Sequence, residues 1–202
     1  MTGVLIEAGF RHTKAGTWNR RSGEELNVVQ LQKHSTEKTF CVNLGIHYTF
    51  LPRVGTETPL NGEKIELADC ELAFRLTDQA TVKDQWWPIA ASSVAAVAEL
   101  VRIRGLPIFA SYRLDGAIGA MSGSDIENGN AGLLASITKG RACLLLAHMH
   151  EHFGNRDKCI ETAEIGLKLA SPMAVGPKKA FRDILTRSQS RSPTGRALAA
   201  DD

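Results

Sequence analysis

The sequence has no CxxC pair. Its four cysteines, Cys41, Cys70, Cys143 and Cys159, lie far apart, so neither a zinc site nor a dithiol redox centre is indicated. They are expected to be buried free thiols. No apolar run approaches the roughly 20 residues that a helix needs to cross a bilayer. No charged-then-apolar leader precedes Glu7, so a cytoplasmic chain without a secretory signal is expected. An excess of charge of one sign is also missing, since 24 basic and 22 acidic side chains leave a net +2. That is too little for the electrostatic footprint of a nucleic-acid or anionic-membrane binder. The Lys-Ser/Thr of a P-loop, the GxSxG of a serine hydrolase and HExxH are all absent, which removes the best-marked routes to phosphate, acyl and zinc chemistry.

What is present is ordinary globular material, 202 residues with 43% hydrophobic and 23% charged, long enough for a real core. Its most informative block runs from Trp18 to Trp87 as short alternating apolar and polar segments. Thr17–Arg20 reads as a strand, Arg21-Ser22-Gly23 as a hairpin turn and Leu26–Lys33 as the returning strand. Thr39–Ile46 alternates most strictly, with Phe40, Val42, Leu44 and Ile46 on one face and Cys41, Asn43 and Gly45 on the other. Cys70–Leu76 repeats the pattern, with Leu72, Phe74 and Leu76 inward and Glu71 and Arg75 outward. On this reading Arg75→Ala leaves folding nearly intact, whereas Phe74→Ala costs about 3–5 kcal/mol. Before the sheet, Val4–Ala8 supplies about one turn of helix, short for an element that should cover it. A connection rich in Pro and Gly, from Tyr48 to Asp69, is expected to cross the surface. The polar face would carry Gln30, Gln32, Asn43, Glu71 and Arg75.

After Trp86-Trp87-Pro88 the period changes from strand to helix. Ser92 or Ser93 would cap a helix whose apolar positions are Val94, Val97, Leu100 and Val101, ending at Arg104-Gly105. Leu106–Gly132 is glycine-rich and weakly periodic and reads as a loop. Two antiparallel helices follow, with stripes at Ala142, Leu145, Leu146, Met149 and Phe153 and at Ile160, Ala163, Leu167 and Ala170, separated by Gly154-Asn155. Pro177 opens a last helix through Phe181, Ile184 and Leu185. His148, His150 and His152 look like a metal cluster, but helical steps of about 100° put His150 on another flank. They read as solvated histidines, and no metal or cofactor is expected. Gly116, Gly119 and Gly123 read as loop glycines, and Ser122 and Ser124 have no base that spacing identifies.

Taken in order, Gly9-Phe10, Val29-Gln30-Leu31-Gln32-Lys33, Phe40-Cys41-Val42-Asn43-Leu44-Gly45-Ile46, Phe74-Arg75-Leu76 and Trp86-Trp87 resemble a bacterial family, domain of unknown function 4304, over about residues 9–90. Gln30 stands where that family usually has asparagine. The resemblance implies an α+β domain and brings no activity, cofactor or catalytic residue. The residues that fall on its motif positions, Gln32, Asn43, Arg75, Trp86 and Trp87, are the candidate binding residues.

The sequence therefore predicts an α+β protein: an antiparallel sheet of about four or more strands packed on helices, then a mainly helical C-terminal part. Residues 9–90 would form the sheet domain, 91–186 a helical extension packed on it as one unit, and 187–202 a disordered tail. The expected role is binding of another protein or of a ligand, without catalysis, with small immunity proteins as the analogy. The alternatives are a small-molecule or nucleotide-processing enzyme using the polar sheet face and, behind it, a nucleic-acid module using Arg102, Arg104, Arg113 and the basic tail. No membrane partner is expected, and no oligomeric state can be read.

Overall fold

The structure is a computed structural model that describes residues 1–53, 60, 64–79 and 81–190. It divides into two compact units, Met1–Ala120 and the chain from Met121 onward. Parts of the expected 48–69 connection, and the chain beyond Ser190, lie outside the described residues.

The first unit is built on an antiparallel sheet in the order β1 (Arg11–Lys14), β2 (Thr17–Ser22), β3 (Glu25–Lys33), β4 (Thr39–Tyr48) and β5 (Leu72–Arg75), with the short β6 (Trp87–Pro88) also pairing β4. Gly23, at φ +60°, turns β2 into β3, a conformation glycine adopts without steric cost. β1 carries no apolar alternation for the sequence to reveal, because it is a mostly exposed edge strand of Arg, His, Thr and Lys.

Helix α1 (Thr2–Glu7) ends in a Schellman motif. Gly9 takes φ +82°, its N–H reaches the Ile6 carbonyl, and the Phe10 N–H reaches that of Leu5. The accompanying apolar contact is supplied by Leu5 and Phe10, both buried. This sets Phe10 against Phe109, ring centroids 5.5 Å apart.

Phe109 belongs to a longer helix than the sequence predicts. α2 (Ala91–Leu100) starts at Ala90, which makes no side-chain cap, passes through a π turn at Val101–Gly105 and continues as α3 (Leu106–Ser111). Gly105 does not stop it. A Cβ there would meet Val101 and Leu44 at ordinary distances of 3.6–3.8 Å, and packing on β4 outweighs glycine's weak propensity. Pro107 has no N–H and would push its ring against the Ile103 carbonyl in a regular turn; the widened turn occupies that place. Beyond it, the expected loop at 106–132 also contains α4 (Ala117–Ala120), α5 (Gly123–Glu127) and a 3-10 turn at Gly132–Leu134.

In the second unit, α5 is capped by Ser122, whose side chain and that of Asp125 bond each other's backbone N–H groups. Gly123 is thus a helical first residue. Its N–H donates to Thr162 Oγ1 at 3.0 Å. α6 (Lys139–His152) and α7 (Arg156–Leu169) form the expected hairpin, turned by Gly154 at φ +72°. The buried face of α7 is Cys159, Thr162, Ala163 and Gly166, which shares only Ala163 with the predicted stripe. Small residues permit close approach, and a Cβ on Gly166 would fall 2.3 Å from the Phe181 ring. α8 (Val175–Ser190) carries Phe181 and extends through Arg187 to Ser190. His150 is not solvated: it is 1% exposed, and its Nε2 lies 2.8 Å from the Met121 carbonyl. All four cysteines are free and buried. No helix among the described residues is long and apolar enough to cross a membrane.

Candidate binding site

The two faces of the sheet have different neighbours. On one, Leu44 meets Gly105 and Phe74 lies 5.2 Å from Tyr112. On the other face, one end is closed by the chain that follows β4. Leu26 and Val28 join Leu60, Ile65 and Cys70 in an apolar cluster, and Asn19 Nδ2 donates to the Ile65 carbonyl at 3.0 Å. Gly45 sits beneath this cover, where a Cβ would lie 2.5 Å from Cys70 Sγ. β4 is consequently buried on both faces, not on one as its alternation predicts.

The open end of this second face carries the candidate residues. Register places Gln30 opposite Asn43 and Asn43 opposite Arg75, so three polar side chains form a row across β3, β4 and β5. Asn43 Nδ2 donates to Gln30 Oε1 at 3.3 Å and to Gln32 Oε1 at 3.1 Å. This engages both amide protons of Asn43, which is only 6% exposed. It leaves the amide nitrogens of Gln30 and Gln32 free to donate. Cys41, opposite Gln32 in the register, bonds the Arg75 guanidinium. Glu71 precedes β5 and stands outside the row.

Asp84 and Trp86 fasten the chain after β5 over this row. Arg75 Nε pairs with Asp84 Oδ1 at 2.9 Å, Trp86 Nε1 donates to Asp84 Oδ2 at 3.0 Å, and the guanidinium stands 5.1 Å from the Trp86 ring. The His34 ring meets Trp86 edge-on at 4.8 Å. Trp87 faces the other way, 6.1 Å from Phe40, as two adjacent residues of extended chain must. The structure therefore gathers Gln32, Asn43, Arg75 and Trp86 and separates Trp87 from them. Sequence reading missed Asp84 and His34; the Asp-x-Trp spacing was the available signal for the first.

Gln32 is exposed, Trp86 and His34 are half-buried, and together they form the accessible rim. Elsewhere in the unit, a cleft of about 370 Å³ takes in none of the five candidate residues. Among the described residues no group of three or more His, Cys, Asp or Glu is placed to hold a metal ion. The arginines proposed for nucleic acid are engaged: Arg102 with Glu99, Arg104 with the Thr77 carbonyl and Arg113 with Asp115.

The family described as Domain of unknown function (DUF4304) matches residues 1–111. No curated protein and no solved structure matches the chain.

Proposed function

We propose, for a chain that belongs to the DUF4304 family, a non-catalytic role: a bacterial cytoplasmic domain that holds a partner protein on the open end of its sheet, as small immunity proteins do. The immunity comparison is an analogy of size and fold class. One observation carries the reading. The groups that a reaction would need are fixed to one another, Asn43 to two glutamines and Arg75 to Asp84 and Trp86, while amide donors and an aromatic ring remain at the rim. A rigid aromatic beside free amide donors is the composition of a recognition surface.

The test is retention of a host protein by the immobilised chain, compared with Gln32→Lys and Trp86→Ala. Gln32 is exposed, so its variant should keep its stability within about 0.5 kcal/mol, which thermal melting checks. Loss of the partner from both variants supports the proposal. A partner that both variants retain overturns it, and turnover of a small molecule that disappears in Asn43→Ala would favour the enzyme instead.

A further inference from the structure

We infer that a second site, separate from the sheet face, binds a small organic anion, its carboxylate or phosphate among Arg20, Arg21 and Arg113 and its apolar part on Leu106 and Ala110. These residues line the cleft of about 370 Å³ where the β2–β3 hairpin meets α3. That volume is within the roughly 300–1,000 Å³ typical of small-molecule sites.

The geometry is pre-organised. The Arg20 guanidinium lies 4.6 Å from the Phe10 ring centroid and 5.5 Å from that of Phe109. Its Nε and Nη2 donate to Asn27 Oδ1 at 3.2 and 2.8 Å, and its Nη1 donates to the Ala8 carbonyl at 3.1 Å. It is therefore a fixed positive charge in the cleft wall. Arg21 is exposed and donates through Nε to the Gly23 carbonyl at 3.1 Å, and its terminal amino groups have no partner among the described residues. Arg113 gives Nε and Nη2 to Asp115 at 2.9 and 2.8 Å, keeping Nη1.

The local charges do not cancel. Three guanidinium groups and one carboxylate, Glu25, line the cleft; Arg113 is also paired with Asp115, and Glu25 Oε1 accepts the Leu114 N–H at 3.1 Å. Burial lowers the Arg20 pKa, Glu25 raises it, and Arg113 lowers it again, so an added anion would relieve a cation that is both desolvated and repelled. Guanidinium forks match carboxylate and phosphate oxygens. Leu106 and Ala110, in the same lining, suit an anion with a hydrocarbon or aromatic body.

The experiment is an amide-resolved NMR titration of the full chain at low salt with phenyl phosphate, inorganic phosphate and phenol in separate arms. Saturable shifts at Arg21, Phe109 and Arg113 with phenyl phosphate are expected, with at least tenfold weaker binding of the other two. The double variant Arg21→Gln/Arg113→Gln, its fold checked by melting, should weaken phenyl phosphate binding at least tenfold. Absence of saturable shifts, equal affinity for phenol or inorganic phosphate, or unchanged binding by the double variant would overturn the inference. Neither Gln32 nor Trp86 lines this cleft, so its failure leaves the sheet-face proposal standing.

Discussion

Gly45 and Gly105 look alike in the sequence and differ in what surrounds them. A methyl group on Gly45 would fall 2.5 Å from Cys70 Sγ and 3.0 Å from Leu67 Cδ1, so Gly45→Ala should destabilise by about 1–3 kcal/mol through overpacking. Gly105 is helical with ordinary space around its missing Cβ, and Gly105→Ala should stabilise by about 0.4–1 kcal/mol. Urea melts of the two variants should move in opposite directions; a shared direction would contradict this packing. The same scale revises the expectation for Phe74. It is half-buried on an edge strand, so Phe74→Ala should cost less than the roughly 3–5 kcal/mol of a fully buried ring. Leu72, at 0% exposure, should cost at least as much as Phe74 when cut to alanine, about 2–5 kcal/mol. Arg75→Ala should no longer be silent, because it releases Asp84 and Trp86 together. Period-two alternation made the neighbourhood of Asn43 and Arg75 legible. The link from Arg75 to Asp84 and Trp86 was not, because those two residues arrive from a different segment.

Individual elements show where local pattern yields to packing. Arg104-Gly105 predicts a helix stop, because glycine usually ends helices, yet β4 packs on Gly105 and the π turn accommodates Pro107. Ile160 and Leu167 are more apolar than Thr162 and Gly166, so the pattern predicts a different buried face for α7. Contact with Gly123 and Phe181 instead selects the small residues. On α6, burial is the largest cause lowering the pKa of both His148 and His150, partly opposed by Glu151 at the first and by the Met121 carbonyl at the second. Burial likewise lowers that of His47 on β4. Around neutral pH and below, the unfolded chain binds more protons at these positions than the folded one, so stability rises with pH. Their contribution is complete above the ordinary histidine value near 6.5 and is lost as pH falls below it toward the lowered folded values. Denaturant unfolding between about pH 7.5 and 5 should show this slope, and His150→Gln should flatten it. A slope unchanged by that variant would contradict the burial of His150.

The whole chain comprises two compact units, and the family match at 1–111 falls within Met1–Ala120. All three tryptophans, Trp18, Trp86 and Trp87, belong to that unit, so their emission reports on it alone. Residues 1–120 expressed separately should melt cooperatively with the emission maximum of the full chain; a red-shifted maximum without a transition would show that the unit cannot fold alone. With near-neutral charge, +2 over 202 residues, net charge supplies little long-range steering, and the proposed recognition would rest on local chemistry at the rim. The most direct test of that recognition places a photo-crosslinking side chain at position 32, at position 34 or, as a control, at Lys168, which is 73% exposed in the other unit. Illumination in host cells should give the same dominant protein adduct from positions 32 and 34 and none from 168. No adduct at 32 and 34, or one shared equally with 168, would contradict a binding role for this end of the sheet.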